Sequence, residues 1–210
     1  MTSEMSGTDA FADFSRAPNI ADNHETYELE NRAIDPSGVL WQALRDQADW
    51  HGRTIVDLGC GTGFWLPRYA TAAARVIGVE PDSVDVIHAR FAYFFPPHCE
   101  PGLHEALRVL RPGGALVVVD NDWRHGEFAE LLRASAWATA QGAAETTDEW
   151  WRTRATHRVE VMSAWRCADP AQLESVLRIE FPGDIVDGWL RDHPGRAELS
   201  YGYVLFGTRK

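Results

Sequence analysis

Through the middle of the chain, short apolar runs alternate with stretches whose apolar positions repeat at helical spacing. The runs are 54–58, which ends in glycines, 75–79, which ends at Glu80, then 84–89 and 115–120. Between and after them, 64–73, 101–110 and 127–140 carry the i, i+3, i+4 pattern of helices with one apolar face. Short buried strands in alternation with helices predict βαβ units and a mostly parallel sheet covered on both faces, an α/β class. Upstream, 24–32 and 36–46 read as helices, the second with Pro36 near its start and Val39, Leu40, Ala43, Leu44 and Gln47 along one face. Residues 1–23 are polar around isolated Phe11, Phe14 and Ile20, and read as a partly ordered tail or lid. The last third predicts a helix over 148–154, a strand over 156–165, helices over 170–177 and 182–191, and a closing strand over 200–208. With no repeat or linker, the 210 residues read as one domain, 1–50 forming an N-terminal helical cap or lid and 51–210 the core.

Composition narrows the function classes. Hydrophobic residues at 45% and charged residues at 24% are those of an ordinary globular domain. A formal charge of −11 gives a field that repels phosphate backbones, so a nucleic-acid partner is not expected. No run has the length of a membrane span, and no basic-then-apolar leader opens the chain, so a membrane partner is not expected and the cytoplasm is the predicted location. Cys60, Cys99 and Cys167 stand too far apart for a disulfide framework or a CxxC motif.

Chemistry concentrates in TIVDLGCGTGFWL (54–66), a strand that runs into a glycine turn and then a helix. Gly59, Gly61 and Gly63 allow a sharp turn and close approach of a ligand, and the N–H groups at the helix start point toward it. Seventeen residues beyond Gly63 the next run ends at Glu80, a carboxylate placed to accept hydrogen bonds from a ribose. The pattern predicts a nucleoside-containing ligand at the carboxyl edge of the sheet. Phe64 stands where the dinucleotide fingerprint needs its third glycine, which argues against NAD.

VDLGCGTGFW (56–65), VIGVEPD (76–82), VDVIHARFAYFF (84–95) and LHEALRVLRPGGALVVVDND (103–122) follow in order and resemble the successive motifs of the class I S-adenosylmethionine-dependent methyltransferases. The resemblance covers about residues 50–125. It implies a Rossmann-like three-layer sandwich with a mostly parallel seven-stranded sheet and an antiparallel last strand. It places Asp57 and the turn Gly59, Cys60, Gly61, Gly63 and Phe64 against the methionine end of S-adenosylmethionine, Glu80 with Pro81 at the ribose, and Ala89, Arg90 and Phe91 along the cofactor cleft. S-adenosylhomocysteine is the implied product. Cys60 enters through its backbone, since nothing near it in sequence lowers a thiol pKa. The expected activity is methyl transfer to an oxygen or nitrogen of a small organic molecule. The rival reading is a catalytically idle cofactor-binding partner or regulatory protein.

His125, beside Asp120, Asn121, Asp122 and Trp123 after the fourth run, is the candidate base, with a surface histidine as the competing reading. His88 reads as a core histidine. His98, Cys99 and His104 lack metal-ligand spacing, and no metal site is expected. Phe94, Phe95, Trp123, Trp150 and Trp151 are candidate walls of an aromatic acceptor pocket. One feature departs from the family. Its strand order sets 75–79 and 84–89 on opposite sides of the Asp57 strand, yet three residues separate Glu80 from Val84, too few for a parallel crossover. Either a stretch is absent from this sequence between about Glu80 and Val84, with the adenine contacts it normally supplies, or the sheet has lost its edge strand and is rewired locally.

Overall fold

The computed structural model describes residues 22–73, 75–76, 82–94, 96, 99–135 and 144–210. In chain order the elements are α1 (His24–Ala33), α2 (Val39–Gln47), β1 (Thr54–Leu58), α3 (Leu66–Ala70), β2 (Arg75–Val76), β3 (Val84–Arg90) and α4 (Glu100–Val109). Then come β4 (Leu110–Asn121), α5 (Glu127–Ala134), α6 (Ala144–Arg152), β5 (His157–Arg166), α7 (Pro170–Glu180), α8 (Gly183–Asp192) and β6 (Glu198–Arg209). Among the described residues the strands form one six-stranded sheet in the order β2-β1-β3-β4-β6-β5. The first four are parallel, and β6 pairs antiparallel with both β4 and β5. β2 and β3 thus flank β1 on opposite sides, as expected. No described strand lies beyond β2. Of the link expected to be missing or rewired between about Glu80 and Val84, Glu80 and Pro81 lie outside the described residues, while Asp82 N and Ser83 N donate to Arg108 O (3.4 Å) and Val109 O (3.0 Å) at the end of α4.

Period-two alternation in the strands builds the layers. Val86, Ala115, Val117, Val119, Tyr201, Tyr203 and Leu205 face a core closed by α2, α3, α5, α7 and α8. Ile87, Ala89, Leu116, Val118, Val204 and Phe206 face a second core closed by α4 and by Trp151 of α6. β3 and β4 are apolar on both faces, hence their near-continuous hydrophobic reading.

Element ends differ from the sequence expectation where turn chemistry intervenes. α2 starts at Val39 because Asp35, at φ +51° before Pro36, turns the chain and accepts hydrogen bonds from the N–H groups of Leu40 (3.2 Å) and Trp41 (3.3 Å). Its Oδ1 also accepts from Ser163 Oγ at 2.7 Å, tying the N-terminal segment to β5. α3 shrinks to five residues, with Pro67 in its first turn, while Phe64 and Trp65 stay in the turn. β4 begins at Leu110, five residues before the expected start, because Arg111-Pro-Gly-Gly bulges within the strand: Val84 pairs with Leu110 and Val86 with Ala115. A Cβ on Gly114 would lie 2.9 Å from Arg111 O and 3.0 Å from Asp85 O, so only glycine fits the bulge. α5 ends at Ala134, short of the expected residue 140. α7 starts as expected, with Asp169 capping Gln172 N at 2.8 Å ahead of Pro170.

Candidate functional site

The three parallel strands β1, β3 and β4 bring their carboxyl ends to one edge of the sheet, with Asp57 level with His88 and His88 level with Val117. At this edge, beyond Leu58, Gly59, Gly61 and Gly63 all have positive φ. A Cβ on Gly59 would lie 2.2 Å from the Ala92 Cβ, so the turn is drawn onto the β3 loop more closely than any side chain permits. α1 crosses the outer side of the turn. Glu28 accepts from Thr62 Oγ1 at 2.5 Å, Asn31 Oδ1 accepts from Trp65 Nε1 at 3.1 Å, and the Tyr27 hydroxyl lies 3.1 Å from where a Gly61 Cβ would be.

Beneath the turn lies a buried ion pair. Arg90 Nη2 donates to Asp57 Oδ2 at 3.2 Å, with side-chain exposures of 11% and 3%. The guanidinium also faces Trp65 (5.3 Å), Trp41 (5.5 Å) and Tyr69 (6.0 Å). Asp57 Oδ1 is buried without a hydrogen-bond partner, and desolvation raises the carboxyl's pKa although Arg90 opposes the shift. An orphaned acceptor beside a glycine turn fits a ligand carrying N–H donors, so these residues suit the amino-acid end of the cofactor named by the resemblance. His88 is fully buried with Nδ1 3.2 Å from the Tyr69 hydroxyl, and burial, reinforced by Arg90, lowers its pKa to about 3. It is a neutral core histidine.

A second polar group forms where β4 ends, two strands from β1. Asp122 is 3% exposed; its Oδ1 accepts from Arg124 N at 2.9 Å and its Oδ2 lies 2.7 Å from His125 Nδ1. The His125 side chain is 55% exposed. Asp122, His125 and Glu160 bring one polar atom each within 4.8 Å of one another. Glu160 is already paired with Arg158 at 2.7 Å and Arg124 at 3.8 Å, and Asp148 bridges both arginines, so Glu160 and Asp148 are neutralised by these two cations. Asp120, under the same loop, is pushed up to about 6 by desolvation. Beside it an open cavity of about 540 Å³ is lined by Arg124, Asp148, Trp151, Arg158 and Phe206 among others. A smaller adjoining recess adds Asp120, Asp122 and Trp123.

The structure thus brings Asp57, Gly59, Cys60, Gly61, Gly63 and Arg90 to one place, with Ala89 buried beside them and Phe91 turned onto Tyr201 and Tyr203. Phe64 packs edge-on against Trp65. Glu80, Pro81 and Phe95 lie outside the described residues. Phe94 is core, packed on Trp151, which itself stacks on Phe206 and floors the cavity. Trp150 packs on Trp151 under Arg154, and Trp123 lines the recess. Sequence reasoning missed Tyr27, Glu28 and Asn31 on α1 and passed over Asp122, because each acts on a partner that only folding brings close. Asp122 alone had a local signal, three residues before His125.

No protein-family model matches the chain. In sequence it is 32% identical over 118 residues to an uncharacterized methyltransferase of Mycobacteroides abscessus, covering 46% of this chain and 40% of that protein. It is 34% identical over 68 residues to the cypemycin N-terminal methyltransferase of a Streptomyces species, covering 31% of this chain and 28% of the relative. The chain spans well under half the length of both. Among solved structures, a protein named as a methyltransferase from an antibiotic biosynthesis pathway of Anabaena variabilis superposes with a TM-score of 0.54 at 17% identity, over 84% of this chain and 99% of that one. The fold is that of the class I S-adenosylmethionine-dependent methyltransferases. A phosphoethanolamine N-methyltransferase of Haemonchus contortus in complex with S-adenosyl-L-methionine shares it at a TM-score of 0.50 and 15% identity, over 93% of this chain and 60% of that one. Among the described residues no helix is long and apolar enough to cross a membrane.

Proposed function

We propose that the protein transfers a methyl group from S-adenosylmethionine to an oxygen or nitrogen of a small organic molecule, releasing S-adenosylhomocysteine. The observation that carries this reading is the orphaned Asp57 Oδ1 under a glycine turn at the carboxyl edge of a methyltransferase fold. Gly59 to Gly63 take the methionine end, Asp57 accepts from its amino group, and Glu80 with Pro81 holds the ribose. When bound, the cofactor supplies an electrophilic methyl on a sulfonium. The chain aligns the nucleophile in line with that methyl, excludes water, and shields positive charge with carboxylates and aromatic faces. α1, within the 1–50 cap, covers the turn. The acceptor enters by the cavity beside Trp151 and Trp123, and His125 is the candidate base. The acidic field of the chain supports a small acceptor over nucleic acid, and three free thiols suit the cytoplasm.

Calorimetric titration tests the reading. S-adenosylmethionine and S-adenosylhomocysteine should both bind saturably, and Glu80→Ala and Asp57→Asn should weaken both. Heats at the level of dilution would sink it, and tight, salt-sensitive binding of tRNA or duplex DNA would contradict the small acceptor.

A further inference from the structure

We infer that Asp122 and His125 work as a unit that takes the proton from a proton-bearing acceptor atom, a hydroxyl or an ammonium, with Asp122 as the positioning residue. The inference rests on the methyl-transfer reading and goes beyond it. Asp122 is almost wholly buried, at 3% exposure, and held by Arg124 N, so its carboxylate cannot turn away from the ring. At 2.7 Å from Nδ1 it favours the tautomer that carries the proton on that nitrogen, leaving the lone pair on Nε2. Nε2 has no hydrogen-bond partner among the described residues, and the ring is half exposed at the edge where the parallel strands end. A surface histidine needs no buried carboxylate behind it, whereas a base needs its tautomer set and its imidazolium stabilised. Asp122 does both.

The charges facing the ring come from three elements. Asp120, Asp122 and Arg124 lie at the end of β4, Asp148 on α6, and Arg158 and Glu160 on β5. Glu160 and Asp148 are neutralised by the two arginines, so Asp122 is the carboxylate that acts on the ring directly. In the reaction the acceptor's O–H or N–H bond breaks and its proton passes to Nε2. The freed lone pair forms the bond to the methyl carbon, the pair of the breaking C–S bond returns to sulfur, and His125 then loses its proton to solvent.

Side-chain ¹⁵N NMR on the whole chain reads the tautomer directly. The expected spectrum of neutral His125 shows the proton on Nδ1, as the 2.7 Å contact with Asp122 Oδ2 requires. Diethyl pyrocarbonate should modify His125 severalfold faster than the exposed His104, and Asp122→Asn should remove that advantage. A proton on Nε2 in the wild-type protein, or equal reactivity of the two histidines, overturns the pair even if the variant does not fold. With labelled methyl donor and a panel of small phenols and primary amines, His125→Ala should abolish labelling. Asp122→Asn should lower kcat rather than raise KM. Labelling that persists in His125→Ala overturns the inference. Failure of the wild-type protein to bind S-adenosylhomocysteine would instead count against the functional reading.

Discussion

The Arg90–Asp57 pair makes the sharpest energetic test of the site. Replacing Arg90 by Met fills much of the slot but leaves a carboxylate with 3% side-chain exposure facing no cation. Removing one partner of a buried pair costs about 3–5 kcal/mol, because the remaining charge has neither water nor a counter-ion. The three rings within 6.0 Å of the guanidinium add a cation–π loss of ~0.5–2 kcal/mol, which the apolar methionine partly offsets. The expected net loss is about 4 kcal/mol, a large share of the ~5–15 kcal/mol that holds a domain together. Pairing Arg90→Met with Asp57→Asn removes the orphan charge, so the double variant should lose only about 2 kcal/mol relative to the original chain. Asp57 already has a raised pKa, and losing Arg90 removes the group that opposes the rise. The penalty of an ionised Asp57 is therefore present above its folded pKa and fades as pH falls toward its ordinary value of 3.8. Urea unfolding followed by tryptophan fluorescence at pH 7.5 and pH 5 measures all three quantities. A single variant within about 1 kcal/mol of the original, a double variant no better than the single, or a deficit that grows at pH 5 would refute the reasoning.

His88 has a folded pKa depressed from 6.5 to about 3, so its neutral burial stabilises above pH 6.5 and that contribution is lost as pH falls through 6.5 toward 3. The shift corresponds to about 5 kcal/mol at full protonation, and His88→Gln should flatten the acid limb of a stability–pH curve. Glu30 of α1 is buried against Glu180 of α7, with desolvation first and Glu180 second raising its pKa well above 4.5. A raised carboxyl favours the fold at low pH and loses that contribution as pH rises through its folded value. The melting temperature of the original chain should therefore fall between pH 5 and pH 8 more than that of Glu30→Gln, and equal slopes would exclude the pair as the cause. Gly59→Ala meets both a φ of +72° and a Cβ contact of 2.2 Å with Ala92, and should cost ~2 kcal/mol or more while abolishing calorimetric cofactor binding.

Local chemistry determined a good deal by itself. Apolar runs set β1 and β3 almost to the residue, because β3 is buried along most of its length and β1 runs straight into the glycine turn that ends it. The glycine turn was legible because glycine takes positive φ without steric cost, so Gly59, Gly61 and Gly63 directly after an apolar run announce a turn from local chemistry. Other features depended on partners far along the chain. The start of β4 at Leu110 is decided by its pairing with Val84 across a bulge, which nothing in Arg111-Pro-Gly-Gly announces. Whether Phe94 lines a pocket or fills the core is decided by Trp151 and Phe206, whose rings come from another helix and another strand. Asp57 is a buried, half-satisfied acid only because Arg90 stands 33 residues away in sequence and 3.2 Å away in space. Period and turn residues are short-range signals carried by the covalent chain, whereas burial, pairing and pKa are set by whatever the fold packs against each group.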